Sequence, residues 1–470
     1  MARIEFGTDG WRAVIAEDFT FENVRIVTQA IADYVKESFG QNPKLAAGYD
    51  TRFMSKDFAK VACEVLAGNG IEVLLSDSPA TTPAVSLAIK EKKLDGGIMI
   101  TASHNPPKYN GIKFKTQFAG SAGVEITKKI EGNLYKHSPL ILGFDQAVKE
   151  GKIKIHDAKP DYVRFVNKYI DMRLLKNKKF KVIFDALHGA AAEYPELILK
   201  NTKLNIEAIN KYPDPLFGGV LPEPIEKNLP VLKKMMKAKK YDIGLAFDGD
   251  GDRIGAMRPD GRFVSSGEII CLLLLHMYQD KGLKGAVAKT ISGTSMIEKV
   301  ANSLGLKLYE TPVGFKNIYK LMLEEDILIG GEESGGIGYK GYIPERDGVL
   351  GGLLLLEMMA YRKKGIIKIM DEVEKKFGRH YYLREDIEYP QEMGARLYSL
   401  LKQEPFADLA GKKVTQVKDY DGYKFIAKDN SWILFRLSGT EPILRIYCEA
   451  LSSKRVKDIM NFGKKYAFAI

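Results

Sequence analysis

Asp248-Gly249-Asp250-Gly251-Asp252-Arg253 sets three carboxylates at alternate positions with only glycine between them. Carboxylate oxygens are the ligands that hard divalent cations prefer, and glycine lets a short backbone curl until alternate side chains converge. The run therefore reads as a cation-holding loop. An EF-hand is excluded, because Arg253 stands where that loop needs glycine and Pro259 where it needs its bidentate glutamate. A single Asp-Gly pair is an ordinary surface turn; three in register, closed by an arginine, depart from that pattern.

Three further stretches carry reactive groups on loops. Thr101-Ala102-Ser103-His104-Asn105-Pro106 presents Ser103 after a short apolar strand, which suits a nucleophile or a phosphate carrier. A Ser-His pair alone is weak evidence, since a serine hydroxyl needs a base or metal before it attacks, and no well-spaced Gly-x-Ser-x-Gly elbow is present. Lys113, downstream, either returns an ammonium to the same place or is a plain surface lysine. Glu332, Glu333 and Ser334, held on glycines from Gly330 to Gly336, are either hydrogen-bonding groups for sugar hydroxyls or a flexible turn. Arg436-Leu437-Ser438-Gly439-Thr440-Glu441-Pro442, with Arg445 beyond, offers two guanidiniums, two hydroxyls and glycine-freed amides, a phosphate cradle in residue type. It matches neither the Walker loop nor the dinucleotide fingerprint, so nucleotide binding is not implied.

The elements that must position these loops are short and apolar. Leu45–Tyr49, Ile71–Leu75, Gly97–Ile100, Phe180–Phe184, Tyr241–Phe247, Ala286–Lys289 and Ile327–Ile329 read as strands ending in glycine-rich or polar loops and followed by helical periodicity. That is the pattern of parallel α/β units, whose ligands sit at the strands' C-terminal ends. Past Gly365 the pattern changes to a lysine-rich helix and then strands, a separate α+β domain. There Leu444, Ile446 and Cys448 alternate with Arg445, Tyr447 and Glu449, as expected of a sheet with one wet face.

At 470 residues the chain is long enough for roughly three or four domains. Hydrophobic residues at 45% and charged residues at 28% place it among folded globular proteins. The formal charge of +11 includes lysine clusters at 176–179 and 233–240. They alternate with apolar residues and lack interleaved aromatics, so they read as solvated helix faces and not as a nucleic-acid stripe. Cys63, Cys271 and Cys448 are scattered and form no disulfide framework or metal motif. The longest apolar runs, Ile269–Leu275 and Leu353–Leu356, are far short of a membrane span, and the expected setting is the cytoplasm.

Thr101–Pro106, Asp248–Arg253, Gly331–Gly335 and Arg436–Pro442 occur in the order seen in the α-D-phosphohexomutases, the phosphoglucomutase and phosphomannomutase superfamily, which this chain resembles over its whole length. Phe6-Gly7-Thr8-Asp9-Gly10-Trp11-Arg12, Gly48-Tyr49-Asp50-Thr51-Arg52 and Thr311-Pro312-Val313-Gly314-Phe315-Lys316 add to the resemblance. It implies an α/β protein of four domains, three related α/β domains and a C-terminal α+β domain around a central cleft. The corresponding segments are 1–150, 151–256, 257–368 and 369–470.

The resemblance further implies a phosphoserine at Ser103, with Ser103, Asp248, Asp250 and Asp252 holding one Mg²⁺. Arg12, Arg253, His104 and Lys113 are the candidates for steadying the transferring phosphoryl group or moving the hydroxyl proton. Glu332, Ser334, Gly314 and Lys316 would hold the sugar, and Arg436, Ser438, Gly439, Thr440 and Arg445 its existing phosphate. The implied reaction interconverts glucose 1-phosphate and glucose 6-phosphate through glucose 1,6-bisphosphate, in a monomer or homodimer with no nucleic-acid or membrane partner. Mannose or glucosamine phosphates, or a non-catalytic phosphosugar-binding protein, are the alternatives. Two departures matter: many relatives with mannose or glucosamine activity carry histidine where this chain has Gly336, which shifts the acid/base expectation towards Lys113, and Glu333 favours the glucose-type loop. Pro222-Glu223-Pro224 stands where many relatives have Pro-Asn-Pro.

Overall fold

The structure, a computed structural model, describes residues 4–7, 9–40, 42–238, 240–438 and 442–469. Thr8 of the first motif and Gly439 and Thr440 of the last lie outside the described residues. Contacts divide the chain into two compact units, Met1–Val287 with Gly314–Ile369, and Ala288–Val313 with Met370–Ile470.

The first unit begins with a six-stranded sheet in the order Trp11–Val14, Tyr109–Thr116, Gly96–Ile100, Lys44–Tyr49, Glu72–Ser76, Ile153–His156. Lys44–Tyr49 runs parallel to both of its neighbours. Gly96–Ile100 is buried at every residue, as a central strand covered on both faces requires. The helices Phe21–Phe39 and Thr82–Glu91 start where threonine caps them: the Thr20 and Thr81 side chains accept the Asn23 and Ala84 backbone N–H groups. A second, five-stranded sheet has the order Phe263–Val264, Ile254–Met257, Ile243–Phe247, Lys181–Asp185, Asn205–Ile209. The apolar run at Ile269 belongs to the buried helix Ser266–Leu275, started by a capping box between Ser265 and Glu268. Among the described residues, no helix is long and apolar enough to cross a membrane.

The predicted strands are present, but the reactive loops are not connections from a parallel strand to a helix. Gly96–Ile100 turns back antiparallel into Tyr109–Thr116, Ile243–Phe247 into Ile254–Met257, and Ile327–Gly331 into Ile337–Tyr339. Each return strand is short or interrupted by polar residues, so period-2 patterning does not mark it. Each loop is consequently a hairpin tip, held at both ends by backbone pairing.

In the second unit the strands Tyr381–Glu388, Ile443–Ala450, Trp432–Leu437, Tyr423–Ala427 and Val414–Lys418 form one antiparallel sheet in that order. Ser438 follows Trp432–Leu437, which pairs antiparallel with Ile443–Ala450. Leu444, Ile446 and Cys448 enter one core, as expected. The other face is not wet: Tyr447 and Glu449 are 1% exposed. Residues from the 288–313 segment cover it, where Ile291 packs with Trp432, Leu434 and Tyr447. Glu449 Oε1 accepts hydrogen bonds from the Ser295 N–H at 3.0 Å and Trp432 Nε1 at 3.2 Å. A charged residue in an alternating strand thus points into a second, polar interior.

Candidate active site

The three aspartates of the opening loop are fully buried at the tip of the hairpin Ile243–Phe247/Ile254–Met257. Their ligating oxygens lie within 4.8 Å of one another. Ser103 Oγ donates to Asp248 Oδ2 at 2.8 Å, so the two hairpin tips meet at the nucleophile. Backbone proximity makes this possible: a Cβ on Gly249 would come 2.6 Å from the Ser103 carbonyl oxygen, and one on Gly189 would come 2.7 Å from the Gly249 carbonyl oxygen. Ser103 itself is held at φ +52°, the left-handed region that a non-glycine residue enters at a cost.

Lys113, on the return strand of the serine hairpin, is 1% exposed and reaches Asp250 Oδ2 at 2.8 Å, Asp9 Oδ2 at 3.0 Å and Asp252 Oδ2 at 3.4 Å. Burial alone would push its ammonium down, but Asp250, Asp9 and Asp252 together hold it above the usual lysine range. Burial raises Asp248 well above the carboxylate range, and the neighbouring Asp252 and Asp250 raise it further. Asp250 Oδ1 and Asp252 Oδ1 are buried and have no hydrogen-bond partner among the described residues. Three buried carboxylates, two with an orphaned oxygen, fit a hard divalent cation by donor type and number.

His104 and Arg12 lie at the serine tip and Arg253 at the aspartate tip. His104 Nδ1 lies 3.5 Å from Ser103 Oγ. Arg12 donates to Asn105 Oδ1 at 2.6 Å, within the serine loop. Arg253 Nε is 3.9 Å from both Asp248 and Asp252, and its NH1 is 3.4 Å from Glu223, which gives the Pro-Glu-Pro segment a contact. Glu332 is 6% exposed; burial pushes its carboxyl up to about 7, against the pull of Arg346. Ser334 is half-buried on the same tip. Gly314, at φ +117°, caps the helix Phe315–Glu324, which carries Lys316. In the second unit Arg436 and Arg445 are register partners on adjacent strands, next to Ser438. Arg436 Nε donates to Asp421 at 3.0 Å, and Arg445 Nε is 3.6 Å from Asp386.

Several residues of the site have no role in the sequence reading. Asp9 and Arg52 sit in motifs visible there, but their work is done through contacts remote in sequence. Thr82 Oγ1 donates to Asp250 Oδ2 at 2.6 Å, and Arg346 reaches Asp252 at 2.7 Å and Asp9 at 2.6 Å. Neither Thr82 nor Arg346 has a local pattern that would mark it.

Comparison with known proteins then decides the family. Residues 3–139, 160–261 and 266–377 match the phosphoglucomutase/phosphomannomutase alpha/beta/alpha domains I, II and III, and residues 400–462 match the C-terminal domain. The chain belongs to this family. A phosphoglucomutase/phosphomannomutase of Thermococcus kodakarensis is 29% identical over 98% of this chain and 97% of its own. A phosphoglucosamine/phosphogalactosamine mutase of Sulfurisphaera tokodaii is 30% identical over 98% of both chains. A crystal structure from Thermus thermophilus, of a protein assigned as a phosphomannomutase, superposes with a TM-score of 0.88 at 34% identity, covering 99% of each chain. This phosphohexomutase is thus an isomerase of the intramolecular phosphotransferase kind, built from three α/β/α domains and a C-terminal domain.

Proposed function

We propose that this phosphohexomutase interconverts glucose 1-phosphate and glucose 6-phosphate through a phosphoserine at Ser103 and glucose 1,6-bisphosphate. The observation that carries the reading is the 2.8 Å contact between Ser103 Oγ and Asp248, one of three buried carboxylates. Asp248, Asp250 and Asp252, with an oxygen on Ser103, are the residues that would hold Mg²⁺, whose charge would offset that of the moving phosphoryl group.

Phosphoserine gives its phosphoryl group to the free sugar hydroxyl: the Ser103 Oγ–P bond breaks and a sugar O–P bond forms. The hydroxyl proton leaves to His104, whose Nδ1 is 3.5 Å from Ser103 Oγ. The acid/base work expected of Lys113 from the sequence passes to His104, because Lys113, clamped by three carboxylates, stays an ammonium and joins Arg12 and Arg253 in steadying the phosphoryl oxygens. Glu332, Ser334, Gly314 and Lys316 hold the sugar, and Arg436, Ser438, Gly439, Thr440 and Arg445 its other phosphate. The bisphosphate then turns over, its original phosphate passes to Ser103, and the proton returns. Glu333 supports glucose as the sugar, and a cytoplasmic setting completes the reading. The aminosugar name of the Sulfurisphaera relative supports glucosamine phosphate as a second reading.

A coupled assay of glucose, mannose and glucosamine 1-phosphates, with Mg²⁺ and a trace of the bisphosphate, tests this directly. Glucose 1-phosphate is expected to give the highest kcat/KM; equal or higher values for glucosamine 1-phosphate would replace the glucose reading. Intact-mass measurement should find one phosphoryl group that a Ser103→Ala variant lacks.

A further inference from the structure

Gly336 leaves a space that this chain fills from another segment: a Cβ there would meet Arg346 Cδ at 2.3 Å and Cγ at 3.0 Å. Arg346 is 4% exposed and lies just before the helix Gly348–Arg362. Its guanidinium reaches three segments of the first unit. NH2 is 2.7 Å from Asp252 Oδ2 and 2.6 Å from Asp9 Oδ2, and NH1 is 3.5 Å from Glu332 Oε2. Its plane also lies 5.4 Å from the Phe315 ring, at the start of the helix that carries Lys316. One buried cation therefore touches a carboxylate of the aspartate tip and a carboxylate of the Glu332 tip.

We propose that Arg346 is a positioning residue that couples the sugar-binding tip to the aspartate tip, by fixing Glu332 while withholding part of Asp252 from the cation. The proposal rests on the reading that Glu332 meets the sugar and Asp252 the cation. A planar fork can serve two carboxylates at once, which a lysine cannot do with the same geometry. The same charge beside Asp252 repels a divalent cation, so Arg346 favours sugar capture at the expense of metal affinity. Glycine at 336 is required for this, because any side chain there would displace the arginine.

The two effects have opposite signs, which separates coupling from a merely structural role. In Arg346→Met, KM for glucose 1-phosphate should rise roughly tenfold, the loss of one buried charge contact, with a smaller fall in kcat. Calorimetry of the free protein with MgCl₂ should show Mg²⁺ binding more tightly than in the wild type. Arg346→Lys keeps the charge and loses the fork, so it should raise KM and leave Mg²⁺ affinity unchanged. Gly336→Ala, which displaces the arginine from both carboxylates, should raise KM and tighten Mg²⁺ binding. An unchanged KM in Arg346→Met, or weaker Mg²⁺ binding, would overturn the proposal. If thermal melts show that Arg346→Met does not fold, Arg346→Lys and Gly336→Ala decide by the same KM and Mg²⁺ readings. Absence of Mg²⁺ binding in the wild type would sink the metal reading alone, while the KM arm would still judge the hold on Glu332.

Discussion

Arg52 organises the nucleophile without touching its hydroxyl. Its guanidinium donates to the main-chain carbonyls of Ser103, Asn105, Pro106 and Tyr109 at 2.6–3.0 Å, with Asp50 at 3.3 Å and the Phe217 ring at 4.9 Å behind it. Four carbonyls converging on one buried cation keep Ser103 in its left-handed conformation, a state costing on the order of 1–3 kcal/mol. Arg52→Met should lower kcat by about 10²-fold with a smaller change in KM, because the nucleophile drifts and sugar contacts do not. Intact mass should show reduced phosphoryl occupancy at Ser103. A variant with wild-type kcat would show that the serine tip holds its own shape. The residue types that do chemistry are legible because aspartate, serine and arginine stand out on glycine loops; Arg52, Arg346 and Thr82 act through remote contacts that no local spacing reveals.

At the scale of elements, the long helix Gly348–Arg362 begins on a carboxylate kept in the interior. Asp347 caps it through the Leu350 N–H at 2.9 Å and accepts from Tyr162 at 2.8 Å. Burial raises this carboxyl to about 7, against the lowering effect of those hydrogen bonds. The native state therefore holds a proton that the unfolded chain releases at an ordinary carboxylate pKa of about 4. Its contribution to stability is complete below about pH 4 and declines as pH rises to about 7. An Asp347→Asn variant keeps an acceptor and does not titrate. Its melting temperature relative to wild type should climb between pH 5 and 8; parallel curves would mean that Asp347 is ionised throughout. Helices and central strands are readable from apolar runs such as Ile269–Leu275. The hairpin returns are not, because Tyr109–Thr116 carries buried Asn110, Lys113 and Lys115, and buried polar residues erase the alternation.

At the scale of the molecule, the second unit is assembled from two stretches of chain, Ala288–Val313 and Met370–Ile470. The first supplies the cover for Trp432, Leu434 and Tyr447, and its Ile291 carbonyl accepts from buried Lys424 at 2.6 Å. A fragment of residues 370–470 should therefore expose Trp432. With Trp11→Phe making Trp432 the sole tryptophan of the full chain, the fragment's emission should be red-shifted relative to that variant. Identical spectra would show that the C-terminal stretch closes over itself. The discontinuity also orders events at the ribosome. Ile291 emerges long before Trp432 and Tyr447 are made, a delay on the order of ten seconds at common translation speeds. Throughout that interval the 288–313 stretch has no sheet to cover, and it must stay unaggregated until nearly the whole chain has been synthesised.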